Sequence, residues 1–386
     1  ERIPDLDLGA LEAIFSALNS TKDAEVMGAL DLLASLGRAR LIPALLLYHP
    51  SRDVVLRALQ LLGETDRDDY LPITQRLLDH DSAEVRAAAL RIRAKVRKDR
   101  GELEAMAKDE RPEMRATALV AIRAMGSGVG DDAVSTTLRE MLAGCDAVIH
   151  LAAGALPARS ESDWASDAAS QILPAIGLAE AMHACGVRRL VFLSSGGTVY
   201  GRTAHEPIRE DHPTAPLSVY GLGKLLVEQC LAFQRRLDRL EPLVLRVANV
   251  YGEGQAGGRG QGVVASFVDE ALAGRPLRVM GDGSTVRDYV HVADVAAAVL
   301  GALRYRGAHG VFNVGSGVGH SIVGLIAALE RALRTPLRVD YAEGRPFDVP
   351  YNVLDCGLAL RELGWRARVD LDSGLAATLA SRRGTR

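Results

Sequence analysis

Along the first 125 residues, apolar positions follow two periods. Within short segments they fall at i, i+3 and i+4, the spacing of one buried helix face. Between segments the pattern itself recurs, as "DAEVMGALDLLASLG" from Asp23, "RDVVLRALQLLGE" from Arg52, "SAEVRAAALRIRAKV" from Ser82 and "RPEMRATALVAIRAM" from Arg111. The matching positions Val26, Val55, Val85 and Met114 are 29, 30 and 29 residues apart. Each segment opens on a polar turn containing Asp, Ser or Pro, as helix starts do. Shorter apolar runs such as "LIPALLLYH" and "YLPITQRLLDH" lie between them. A helix pair every ~30 residues predicts an α-solenoid over 1–125. A plain helical bundle is the alternative, and persistence of the period over four units favours the solenoid.

From Cys145 onward the pattern changes. "AVIHLAA", "RLVFLSS" and "LVLRVANVYG" are short apolar runs bounded by small or polar residues, and amphipathic stretches such as "SQILPAIGLAEAMHACG" and "YGLGKLLVEQCLAFQRRL" separate them. Alternation of this kind predicts a parallel sheet covered by helices on both faces. Beyond about Gly252 the elements shorten and turns multiply, which predicts a smaller α+β cap. The expected domains are 1–125, 126–251 and 252–386, with "GSGVGD" (Gly126 to Asp131) as a linker.

Composition narrows the function classes. The chain has 386 residues, is 48% hydrophobic and carries a formal net charge of −3, which argues against a dedicated nucleic-acid surface. No apolar run is long enough to span a bilayer. The four cysteines form no CxxC pair, so no zinc site or disulfide framework is expected, and a reducing cytoplasm is the expected compartment.

The chemistry centres on "VYGLGKLLVE", which places Tyr220 and Lys224 four residues apart on one helical face. A phenol is a poor base at neutral pH, with a pKa near 10. An ammonium one turn away favours the phenolate. A tyrosine tuned in this way can take the proton of a sugar hydroxyl as hydride leaves the carbon. Alone, the motif has little specificity. It is joined, in order, by "VFLSSGGTVYG", "LRVANVYG", "LRVMGDGSTVRDYVHVADVAAAV", "FNVGSG" and "GRPFDVPYNVLDCGLALRELGW".

This ordered set closely resembles the extended short-chain dehydrogenase/reductase family, and within it the NAD-dependent nucleotide-sugar epimerases and dehydratases of the UDP-glucose 4-epimerase type, over about residues 130–386. The N-terminal repeat resembles HEAT repeats. Together these imply an α + α/β chain, with a HEAT-like α-solenoid joined to an incomplete Rossmann-like sheet and a C-terminal substrate cap. By resemblance, Tyr220 is the general base and acid, and Lys224 also holds the nicotinamide ribose. Leu151, Ala152 and Ala153 lie against NAD, and Asp131 bonds its adenine. Asn249 contacts the phosphates of the sugar nucleotide, while Arg287, Arg345 and Asp348 clasp its nucleotide, a UDP-sugar. Guanidinium forks suit a diphosphate. The resemblance also implies a homodimer through the helix bearing the tyrosine and the one before it. A protein partner on the helical repeat is a further expectation.

Three departures from the family pattern stand out. Gly196 occupies the place of a hydroxyl residue, so Ser195 or Thr198 has to serve. Gln171 replaces an asparagine. Most consequentially, the strand, GxxGxxG turn and helix that hold a cofactor pyrophosphate do not precede "AVIHLAA". That strand is then expected at a sheet edge. Loss of three backbone bonds to a diphosphate, at about 1–3 kcal/mol each, weakens NAD binding on the order of a thousandfold or more. Two alternatives to an active enzyme therefore stay open: a non-catalytic nucleotide-sugar or protein-interaction protein, and a fusion or fragment without independent activity.

Overall fold

The computed structural model describes residues 8–124, 131–151, 164–203, 207–255, 262–344 and 349–384. The chain divides into two compact units, Glu1–Met141 with Arg382–Arg386, and Leu142–Ser381.

The described part of the first unit is helical: α1 (Leu8–Leu18), α2 (Asp23–Ser35), two 3₁₀ turns (Ala39–Leu41 and Ala44–Tyr48), α3 (Arg52–Leu62), α4 (Leu71–Leu77), α5 (Ala83–Arg97), α6 (Arg100–Met106), α7 (Pro112–Ala124) and α8 (Asp131–Leu142). The four matching positions of the sequence period, Val26, Val55, Val85 and Met114, are all buried in one continuous apolar core with Leu30, Leu59 and Leu90. Polar contacts recur with the same period. Before three successive long helices, a side chain two residues upstream accepts a backbone N–H: His49 from Ser51, His80 from Ser82 and Asp109 from Arg111, at 3.1, 3.0 and 2.9 Å. Arg86 and Arg115, matching positions one residue after Val85 and Met114, each donate to two carbonyls of the turn before their own helix and to a glutamate beyond it, Glu113 and Glu140 respectively.

The second unit holds β1 (Ala147–His150), α9 (Trp164–Ala184), β2 (Arg189–Ser195), α10 (Val219–Arg236), β3 (Glu241–Val247), β4 (Asn249–Tyr251), α11 (Val263–Leu272), β5 (Leu277–Met280), β6 (Val286–His291), α12 (Val292–Arg304), β7 (Val311–Val314), β8 (Gly319–Ser321), α13 (Ile322–Leu333), β9 (Val339–Ala342), β10 (Tyr351–Asn352), α14 (Gly357–Leu363) and α15 (Leu371–Gly384). The main sheet is parallel, in the order β1-β2-β3-β7. β3 is buried from Pro242 to Val247, as a parallel strand covered on both faces must be. β1 ends this sheet among the described residues. Ile149 and Leu151 there are 43% and 61% exposed. Among the described residues, helices and 3₁₀ turns alone precede β1.

A second sheet, β10-β6-β4 with β8 antiparallel to β6, carries the C-terminal motifs, and β5 pairs with β9. The "FNVGSG" motif is explained by one buried carboxylate. Asp288 on β6 accepts from Ser316 N and Oγ, Gly317 N and Leu354 N. A Cβ at Gly315 would lie 2.3 Å from it, so only glycine admits this approach. Burial pushes the Asp288 pKa up, and the four donors oppose that shift.

Candidate active site

Tyr220 and Lys224 lie in the first turns of α10, which starts where Ser218 Oγ accepts the Gly221 N–H at 3.1 Å. The helix seats against the carboxyl end of β2, where parallel sheets present ligand sites. Lys224 is buried, and its Nζ donates to Leu193 O at 3.0 Å. The ammonium lies 4.8 Å from the Phe192 ring centroid and 5.8 Å from that of Tyr220. Burial pushes the Lys224 pKa down to about 8, and the Glu228 carboxylate opposes the shift. His150, at the end of β1, stacks on Phe192 with centroids 5.4 Å apart, and burial and then the Lys224 charge hold its pKa low.

The lysine shift makes a prediction about stability. A folded-state pKa of about 8 lies below the ordinary lysine value of 10.5. Below pH 8 both states hold the proton and the burial penalty is fully present. Between about pH 8 and 10.5 the unfolded chain holds more protons than the folded one, so the stability contributed by this group rises with pH. The unfolding temperature of the native protein relative to Lys224→Met should therefore increase from about pH 7.5 to about pH 9.5. A constant or falling difference would contradict a desolvated amine.

The "SSGGTVYG" loop approaches the same helix turn. Thr198 lies against Gly221, where a Cβ would meet Thr198 O at 2.9 Å and Thr198 Cβ at 3.1 Å. Ser195, at the end of β2, has its Oγ 3.9 Å from the Cβ position of Gly197, and Asn249 Oδ1 lies equally close to that point. Asn249 donates from Nδ2 to Asp288 O at 3.2 Å. Gly196 cannot carry the hydroxyl of the family pattern without rearrangement, because a Cβ there would lie 2.6 Å from Leu354 Cδ1 and 3.0 Å from Arg246 O. The structure thus gathers Tyr220, Lys224, Thr198, Ser195 and Asn249 around the end of β2. Arg287 stands on β6 and donates to Val349 O at 2.6 Å. Leu151 follows β1 directly. Asp131 opens α8, its side chain being outside the described residues, as are Ala152, Ala153, Arg345 and Asp348.

Two sets of residues important to this geometry escaped sequence reasoning. Beneath the turn that bears Tyr220 and Lys224, Glu228 on α10 takes Arg246 Nη2 at 2.7 Å and Nε at 3.1 Å, and Ser194 Oγ also donates to it. Arg246 Nη1 donates to Tyr200 OH at 3.0 Å, and Tyr200 donates to Asn313 Oδ1 at 2.7 Å. Burial pushes the Tyr200 phenol up to about 12. This network ties α10 to β2, β3 and β7. Separately, Asn352 on β10 donates to Gly196 O at 3.0 Å and binds the cap segment to the serine-glycine loop. Its only advance sign was an asparagine inside an apolar run.

A cavity of about 530 Å³ lined by Arg209, Glu210, Asp211, Asp355 and Arg361 opens elsewhere, at the amino end of β7, and holds none of the predicted site residues. No cluster of three metal-ligating side chains occurs among the described residues. No described helix is long and apolar enough to cross a membrane.

The parallel main sheet is Rossmann-like, and the model of the NAD dependent epimerase/dehydratase family matches residues 99–315, more than half of the chain. The chain belongs to that family. The match begins at residue 99 and not near 130, so it takes in helices assigned above to the repeat. Among individual relatives, UDP-glucose 4-epimerase of Mycolicibacterium smegmatis is 39% identical over 234 residues, 61% of this chain and 75% of that protein. The dTDP-4-dehydro-6-deoxyglucose reductase of Escherichia coli is 31% identical over 61% of this chain and 74% of its own. Among solved structures, Thermotoga maritima UDP-glucose 4-epimerase with UDP-glucose aligns at a TM-score of 0.63 and 35% identity, over 65% of this chain and 82% of that one. The Thermus thermophilus UDP-glucose 4-epimerase complex with NAD aligns at 0.61 and 34%, over 66% and 82%.

Proposed function

We propose that the second unit is a nucleotide-sugar site of the epimerase type, acting on a UDP-sugar by proton transfer through Tyr220. The observation that carries this reading is the buried Lys224 ammonium, held on Leu193 O beside the Tyr220 ring at the carboxyl end of a parallel strand. The Tyr220 oxygen takes the hydroxyl proton of the sugar and returns it. Charged Lys224 favours the phenolate, and that support fades as the amine loses its proton above about pH 8. Thr198, seated on the same helix turn, and Ser195 orient the reacting hydroxyl. Asn249, Arg287, Arg345 and Asp348 hold the diphosphate and nucleoside of the substrate.

The residues present fit the nicotinamide-ribose end of NAD, because an ammonium has three donors and Leu193 O accepts one. NAD, when bound, supplies the hydride acceptor. Lys224 would hold its ribose, Leu151, Ala152 and Ala153 would flank it, and Asp131 would reach its adenine. The sequence carries no GxxGxxG turn before β1, so affinity is expected on the order of millimolar rather than micromolar. For the first unit we propose a HEAT-like solenoid that binds a protein partner. The recurring turn contacts at Ser51, Ser82 and Arg111 support the repeat itself.

Calorimetric titration with UDP and UDP-glucose tests the sugar-nucleotide half by itself. Saturable heat that is weakened about 10-fold or more by Arg287→Ala is the expected result. Absence of heat with every nucleotide sugar, in the folded protein, would overturn the reading.

A further inference from the structure

Two glycines punctuate the turn that carries the proposed proton-transfer pair, in the order Tyr220-Gly221-Leu222-Gly223-Lys224. Glycine inside a helix is unfavourable relative to alanine, so each calls for a reason. Gly221 has a backbone reason, its approach to Thr198 O. Gly223 has a side-chain reason. A Cβ built there would lie 2.9 Å from Gln171 Nε2 and 3.1 Å from both Cδ and Oε1 of the same amide. Gln171 projects from α9 and is only 6% exposed, so its amide has little room to swing aside.

We propose that Gln171 and Gly223 are a matched pair. The carboxamide of Gln171 fills the space that a side chain at position 223 would occupy. Gln171 thereby acts as a positioning residue for the turn that bears Tyr220 and Lys224. Glutamine reaches one methylene further than asparagine. That reach brings the amide onto the backbone of α10, and glycine at 223 admits it. The functional meaning of the pair rests on the roles proposed above for Tyr220 and Lys224, whereas its packing content does not.

Thermal unfolding of the full chain separates the two. Gly177 on α9 has open space at its Cβ position, so Gly177→Ala serves as the control and should raise Tm by about 2–4 °C through helix propensity. Gly223→Ala should fail to raise Tm, or lower it, in the native background. In a Gln171→Ala background the same change should raise Tm as the control does. If Gly223→Ala does not fold alone, the double variant still decides the sign. A rise equal to the control in both backgrounds would overturn the pair, whatever the activity. Positioning is read in kcat for hydride transfer. Gly223→Ala should lower kcat about 10- to 100-fold with KM little changed, and Gly223→Ala/Gln171→Asn should recover most of it, because the shorter amide clears the methyl group. Unaltered kcat in Gly223→Ala would overturn the positioning role. Non-additive unfolding in a protein without turnover would sustain the pair and count against the proposed function.

Discussion

Tyr220→Phe should lower hydride transfer from a UDP-sugar by about 10²- to 10⁴-fold, the usual contribution of a positioned acid-base group, in a protein that still folds. The substitution removes one oxygen from a half-buried ring and keeps its packing. The expected loss is in kcat, because the proton is shared only as the sugar carbon is oxidised. Lys224→Met should produce a loss of similar size for a different reason, removing the charge 5.8 Å from the phenol ring together with the expected ribose donor. A Tyr220→Phe protein within about twofold of the native rate would take the phenol out of the chemistry.

Glu228→Ala should destabilise the second unit by about 3–5 kcal/mol, the penalty for stranding one member of a buried ion pair. Arg246 and Glu228 side chains are 8% and 4% exposed, and their atoms approach to 2.7 Å. Removal of the carboxylate leaves the guanidinium without its counter-charge and Ser194 without its acceptor, at the strand end on which Lys224 rests. Glu228→Gln should lose less, since the amide oxygen still accepts from Arg246 and Ser194. Urea unfolding measures both. A loss below about 1 kcal/mol for the alanine variant would mean that water reaches the pair and that the network does not fix α10.

The parts that could be read from the sequence were those set by local periodicity. β2 and β3 were evident because parallel strands buried on both faces read as continuous apolar runs, and β1 because its run is apolar too, although it lies at the sheet edge. The helix of Tyr220 and Lys224 was evident because its apolar positions recur at helical spacing. The recurrence of Val26, Val55, Val85 and Met114 marked four buried positions for the same reason. What escaped were contacts between residues distant in sequence. Nothing near Arg246 announces Glu228 or Tyr200 as partners. Nothing in "PYNVLD" shows Asn352 reaching Gly196 O. The absence of a side chain at Gly196 looked like a lost hydroxyl, and only packing reveals Leu354 and the Arg246 carbonyl in its place. Gln171 likewise read only as a replaced asparagine, and the fold brings Gly223 to face it.

The central proposal is that a tyrosine-lysine proton pair serving nucleotide-bound sugars persists in a chain whose sequence carries no GxxGxxG motif before β1. The measurement that tests it most directly is reduced-nicotinamide fluorescence from the full chain mixed with UDP-glucose across NAD concentrations up to about 10 mM. The account predicts a UDP-glucose-dependent signal that half-saturates near millimolar NAD and disappears in Tyr220→Phe. A folded protein that binds UDP-glucose yet gives no signal at any NAD concentration, or a signal that survives in Tyr220→Phe, would contradict it.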